Sequence, residues 1–243
     1  MRRFKKGVFI TATDTEVGKT FVSALLLKAL LNQNINAGYF KPVASGCKTE
    51  NGFLVSEDLL HIEKFTGKKM EPDLCCPVRY QKPLAPMAAA LLEKKPVNIM
   101  KIKKAFDHLK QEHSILVVEG IGGVMVPLRK NYLVIDLIAE FKLPALIVSR
   151  PTLGTINHTL LTISALKNRG IPIAGFLTNS DKEENDAATA TSPMIIAGLS
   201  RVPYLGHIPM YDFEKDTLDA FIEKKAVFIK KFAKILTRSR KQN

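Results

Sequence analysis

Three adjacent residues, Gly18, Lys19 and Thr20, supply what a phosphate site needs: a backbone that can be approached closely, an ammonium on a long arm and a hydroxyl. They stand between an apolar run, Val8, Phe9 and Ile10, and an apolar helical stretch, Phe21 to Leu31. Asp14 to Lys19 must therefore carry the chain from strand to helix without regular structure, which aims successive main-chain N–H groups into one concavity at the helix start. Lys19 can reach outward phosphate oxygens, and the Thr20 hydroxyl is placed to ligate Mg²⁺. This is a P-loop with one irregularity, since the first glycine of GxxxxGK[ST] is replaced by Thr13.

Other polar residues fall where ligands bind in open parallel sheets, outside the carboxyl ends of strands. Ile115 to Val118 reads as a buried strand followed directly by Glu119 and the glycines Gly120, Gly122 and Gly123. An acidic residue at that place in P-loop enzymes holds Mg²⁺ directly or through water. Lys41 ends a predicted strand over 37–43, stopped by Pro42, and Asn179 ends another over 171–179. Asp58 lies in a predicted helix for which Ser56 is a credible N-cap, and by itself reads as charge complementarity at a helix start. Lys19 and Lys41 would surround a transferring phosphoryl group with positive charge. A GTP enzyme would carry N-K-x-D, whereas the chain has Asn179, Ser180, Asp181, so the expected nucleotide is ATP.

The elements that must hold these residues alternate. Predicted strands at 8–10, 37–43, 115–118, 144–149, 171–179 and 203–208 are separated by helices at 21–31, 99–109, 133–141, 156–168 and 185–198. Such alternation specifies an α/β fold, a doubly wound, mostly parallel sheet in three α/β/α layers of the P-loop NTPase kind. A terminal helix is expected from Leu218 to Leu236, its apolar residues recurring at steps of three and four. With 243 residues, 46% hydrophobic content and no linker-like stretch, residues 1–243 read as one domain.

The net charge of +13 resides mostly at the ends, +4 within residues 1–6 and +7 within 223–241, which reads as a solvated face and a terminal tail rather than a specific nucleic-acid surface. Cys47, Cys75 and Cys76 have no metal-ligand spacing and are expected as reduced thiols in a cytoplasmic protein. No apolar run approaches membrane-spanning length and no signal-peptide core is found.

TDTEVGKT at 13–20, GYFKPVASG at 38–46, VEGIGG at 118–123, LGTINHTLLT at 153–162 and GFLTN at 175–179 together resemble the dethiobiotin synthetases, and the likeness extends to LGHIP at 205–209. The resemblance implies ATP- and Mg²⁺-dependent closure of 7,8-diaminononanoate with CO₂ to dethiobiotin, through a carbamate and a carbamic-phosphoric mixed anhydride. It implies that Thr15, Lys19 and Lys41 are catalytic, and that Thr20, Asp58 and Glu119 are Mg²⁺ ligands. Nucleotide contacts would come from Glu16, Val17, Gly18, Lys19, Thr20, Phe21, Asp58, Glu119, Gly120, Ile121, Gly122, Asn179, Ser180 and the loop Pro209, Met210, Tyr211. Ser45 would contact the substrate, and Thr155, Ile156 and Asn157 would open a helix that receives its carboxylate from a second subunit of a homodimer. Three positions depart from the family pattern: Ala12 replaces a glycine, Ser180 an acidic residue and Arg150 a small one.

Two other readings compete. A partner-controlled ATPase of the partitioning or septum-positioning type shares this architecture, but such switches carry an extra lysine early in the phosphate loop, and residues 12–17 hold none. A nucleic-acid module using the basic ends predicts binding that weakens steeply with salt.

Overall fold

The computed structural model describes residues 7–180, 187–212 and 214–237. The chain begins with β1 (Gly7–Ala12), turns through the phosphate loop into α1 (Lys19–Leu31) and returns as β2 (Ala37–Phe40). A peripheral stretch follows: β3 (Val43–Ala44), a hairpin of β4 (Lys48–Glu50) and β5 (Phe53–Val55), α2 (Glu57–Thr66), α3 (Pro72–Cys75), β6 (Val78–Arg79) paired to β3, and α4 (Pro86–Leu92). Alternation resumes with α5 (Ile99–Glu112), β7 (Ile115–Gly123), a hairpin of β8 (Pro127–Arg129) and β9 (Tyr132–Leu133), and α6 (Val134–Phe141). Next come β10 (Ala145–Ser149), α7 (Thr155–Asn168), β11 (Ile173–Asn179), α8 (Ala187–Ser200), β12 (Tyr204–Ile208), α9 (Leu218–Lys224) and α10 (Val227–Thr237).

Six strands form one parallel sheet in the order β12-β11-β10-β1-β7-β2. β1 and β10 are buried at every position, as strands covered on both faces must be. Right-handed crossovers put α1 on one face and α5 to α8 on the other. The connections from β1 and from β10 diverge, opening a crevice at the carboxyl ends of these two neighbours. α1 is apolar nearly all round and buried accordingly, because α2, α9 and α10 cover the side away from the sheet. On the opposite face Phe9 and Phe40 pack on Phe106 and Phe141, the last two stacked with centroids 3.8 Å apart.

Several boundaries differ from the sequence reading. The segment predicted as one strand over 37–43 is two, because Pro42 lacks the N–H a central strand needs and the chain leaves for the separate β3–β6 pair. Glu119 lies inside β7 rather than after it. β7 runs on to Gly123 through a register shift in which Ile10 faces Glu119 while Ala12 faces Gly123. Glycines make that possible: Gly122 has φ 56°, and a Cβ on Gly120 would come within 2.8 Å of the Phe9 ring. The expected terminal helix is two, broken at Lys225 and Ala226. Ser56 occupies the N-cap position of α2, but its buried hydroxyl makes no capping bond. α7 starts at Thr155, one residue before the expected Ile156. The predicted helix over 185–198 is α8; its first residues, like Asp181 and the basic groups at 1–6 and beyond 237, lie outside the described residues.

Candidate active site

The phosphate loop leaves β1 with the Thr13 N–H donating to the Val148 carbonyl (3.0 Å). Glu16 and Gly18 both have positive φ, 54° and 86°, and such left-handed backbone turns successive amides into a nest. Gly18 is the N-cap of α1 and has no side chain to cap with, and the first turn holds no acidic residue, so the helix start keeps its donors and positive dipole end for an anion. Gly18 is required sterically as well, since a Cβ there would lie 2.3 Å from Asn179 Nδ2. The Lys19 ammonium folds back to donate to the Asp14 carbonyl (3.0 Å). Burial, followed by the nearby Lys41 charge, lowers the Lys19 pKa to about 8 against the partial opposition of Glu119, Asp58 and Asp14.

Beside the loop lies a buried ionic cluster drawn from four elements. Lys41 follows β2 and sits between two carboxylates, 2.7 Å from Glu119 Oε1 and 2.9 Å from Asp58 Oδ2, and also donates to the Gly120 carbonyl (3.1 Å). Thr20 Oγ1 lies 2.7 Å from Asp58 Oδ1 and 2.8 Å from Glu119 Oε1. One hydroxyl proton cannot serve both contacts, so the second brings oxygen against oxygen and depends on positive charge close by. Burial opposes charge on Lys41, but Asp58 and Glu119 overcome it and hold the ammonium protonated well above the usual lysine range. Burial likewise raises the Asp58 carboxyl, yet Lys41 and the Thr20 hydroxyl together hold it below its ordinary value. Glu119 is completely buried, and its second oxygen accepts from Tyr39 Oη (2.8 Å).

The structure thus brings Lys19, Thr20, Lys41, Asp58, Glu119 and Gly120 together. Thr15 stands exposed against the β7 bulge, its methyl 3.8 Å from where a Gly122 Cβ would be. The half-buried Ile121 lies in the bulge itself. On the other flank Asn179 ends β11 and donates from Nδ2 to the Val17 carbonyl (3.1 Å), while its buried Oδ1 and the neighbouring Ser180 hydroxyl have no partner among the described residues. Phe21 of α1 packs on Tyr211 with centroids 5.0 Å apart, so the loop at Pro209, Met210 and Tyr211 rests against the helix that follows the phosphate loop. Ser45 is half-buried in the turn after β3, and Thr155, Ile156 and Asn157 form the first turn of α7; no hydrogen bond among the described residues links these four side chains to the ionic cluster. α7 also starts at a glycine, Gly154, with no side-chain cap and no acidic residue in its first turn.

Tyr39 was missed in the sequence. The available signal was its spacing of two from Lys41, which in extended chain puts both side chains on one face. The contact between the Arg150 guanidinium and the Thr15 carbonyl (3.1 Å) was missed too, and nothing in the local pattern announces it.

A parallel sheet whose first strand turns through Gly-Lys-Thr into a helix, with a carboxylate buried on the next strand, defines a P-loop nucleotide-binding protein. In keeping with that fold, a chain of the MinC:MinD cell division protein complex from Aquifex aeolicus superposes with a TM-score of 0.59 over 96% of both chains, at 15% identity, and a family model described as an AAA domain matches residues 6–213. The ATP-dependent dethiobiotin synthetase of Thermodesulfovibrio yellowstonii is 40% identical over 88% of this chain and 93% of its own length, and that of Methanococcus vannielii 39% over 90% and 97%. The chain belongs to the dethiobiotin synthetase family of carbon–nitrogen ligases.

Proposed function

We propose that the chain joins 7,8-diaminononanoate and CO₂ into the ureido ring of dethiobiotin, converting ATP to ADP and phosphate, as a step of biotin biosynthesis in the cytoplasm. The observation that carries the reading is the convergence of Lys41, Thr20, Asp58 and Glu119 beside the phosphate loop in a chain of this family.

One substrate amine takes up CO₂ as a carbamate, a carbamate oxygen attacks the γ-phosphorus, and the second amine displaces phosphate from the mixed anhydride. No covalent nucleophile is needed, so the side chains have to bring two anions into line and meet the charge that develops between them. The amides of Glu16 to Thr20, with Lys19, receive the triphosphate. Lys41, held protonated by its two carboxylates, acts as a fixed cation between carbamate and γ-phosphoryl oxygens and not as a base. Thr20, Asp58 and Glu119 fit Mg²⁺: their donors are all oxygen, and the hydroxyl stands within 2.8 Å of a carboxylate oxygen on each side. When bound, the ion would neutralise charge on the phosphate oxygens. Asn179 Oδ1 and Ser180 Oγ, buried and without a partner among the described residues, support an adenine site on the β11 side, with Pro209 to Tyr211 as its outer wall. Ser45 would meet the diamine, and the uncapped start of α7 its carboxylate.

A homodimer completes this reading. Leu153 before α7 and Leu161 within it are 90% and 61% exposed, an apolar surface that supports a second copy at the helix assigned to the substrate tail.

The test is incubation with ATP, Mg²⁺, bicarbonate and diaminononanoate, followed by mass spectrometry for the cyclised product. Product formation strictly dependent on the diamine is expected; ATP turnover indifferent to the diamine would overturn the reading.

A further inference from the structure

Arg150 follows β10, which pairs with β1 through Val148 and Ala12, so the guanidinium emerges beside the start of the phosphate loop. Its Nη2 donates to the carbonyl of Thr15. In a planar trans peptide the carbonyl and the next N–H point in opposite directions. A carbonyl held outward at Thr15 therefore faces the Glu16 amide the other way, and Glu16 is the non-glycine residue of this loop with positive φ. Left-handed backbone at such a residue persists when its surroundings hold it. Lys19 does the corresponding thing one peptide earlier, at the Asp14 carbonyl. Two cations thus hold successive carbonyls of the loop, Arg150 from the exposed side and Lys19 from the buried side.

From this geometry we infer that Arg150 is a positioning residue of the phosphate loop, which presets the Glu16 amide for the outer phosphates of a polyphosphate. The inference rests on assigning residues 16–20 to ATP. It predicts a penalty for nucleotides that carry a second phosphate and none for a monophosphate, on the assignment of the Glu16 amide to phosphates beyond the first.

Titration calorimetry with AMP, ADP and ATP on the full chain, beside KM for the diamine and the melting temperature without nucleotide, tests it. Arg150→Ala is expected to weaken ADP and ATP about tenfold, to leave AMP affinity and diamine KM within about twofold, and to leave the ligand-free melting temperature unmoved. Arg150→Lys, which keeps the charge and one donor, should recover most of the loss. Unchanged ADP and ATP affinity in Arg150→Ala, an equal loss for AMP, or a rise confined to diamine KM would each overturn the inference, the last by assigning Arg150 to the substrate carboxylate. Lys19→Ala serves as the control: if it also keeps full ATP affinity, the loop assignment itself fails together with the inference.

Discussion

On the β7 and β2 side of the phosphate loop the polar groups satisfy one another: Lys41, Thr20 and Tyr39 all meet Glu119, and Asp58 meets the first two. On the β10 and β11 side two do not, since Asn179 Oδ1 and Ser180 Oγ are buried without a partner among the described residues. A buried charge cluster is tolerable only when every member is paired, because an unpaired ion in a low-dielectric interior is very costly. Unpaired neutral groups at a crevice are far cheaper and are completed when a ligand arrives. The first flank is thus suited to charge development during reaction and the second to recognition.

The sharpest way to break this contrast is Lys41→Ala. Turnover should fall about a thousandfold, near 4 kcal/mol of transition-state stabilisation, with ATP affinity changed by less than about threefold. The variant also leaves two crowded carboxylates short of a cation, so its melting temperature should drop and recover on adding Mg²⁺ by calorimetry. Near-normal turnover would remove Lys41 from the reaction. Tyr39→Phe comes next: it strands one oxygen of fully buried Glu119 at about 1–3 kcal/mol, seen as a lower melting temperature, whereas an unmoved midpoint would show that flank to be less tightly paired than argued. On the recognition flank, Asn179→Ala should raise the KM for ATP about tenfold and narrow the preference over GTP, with a smaller fall in melting temperature than Tyr39→Phe from the freed Val17 carbonyl.

The smallest effect is a pH dependence. Lys19 titrates near 8 in the ligand-free chain because of burial and Lys41. Between about pH 8 and the ordinary lysine value the unfolded chain holds a proton that the native chain has lost, so raising pH over this interval favours the native state through this group. ATP affinity runs the other way: it should fall a few-fold from pH 7.5 to 8.5, with net proton uptake on binding measured in two buffers. Affinity flat across that range would place Lys19 away from the phosphates.

The strand and helix alternation was legible because strands covered on both faces are continuous apolar runs, as in Ile115 to Val118 and Ala145 to Val148. The Gly-Lys-Thr turn was legible because its chemistry is local. What was not legible depends on long-range packing. β7 passes through Glu119 because a bulge against β1 absorbs the glycines, and glycines alone read as a turn. The break at Lys225 and Ala226 hides because apolar spacing continues across it. Tyr39 and Arg150 act on groups 80 and 135 residues away, distances that no local pattern spans.

Gly18 and Asn179 touch so closely that no methyl fits between them. The two ends of the bound nucleotide, on the roles proposed above, therefore share a wall one atom thick. A lineage that retunes which base it accepts by moving Asn179 would disturb its grip on the triphosphate in the same stroke, and selection could alter one property only by renegotiating the other.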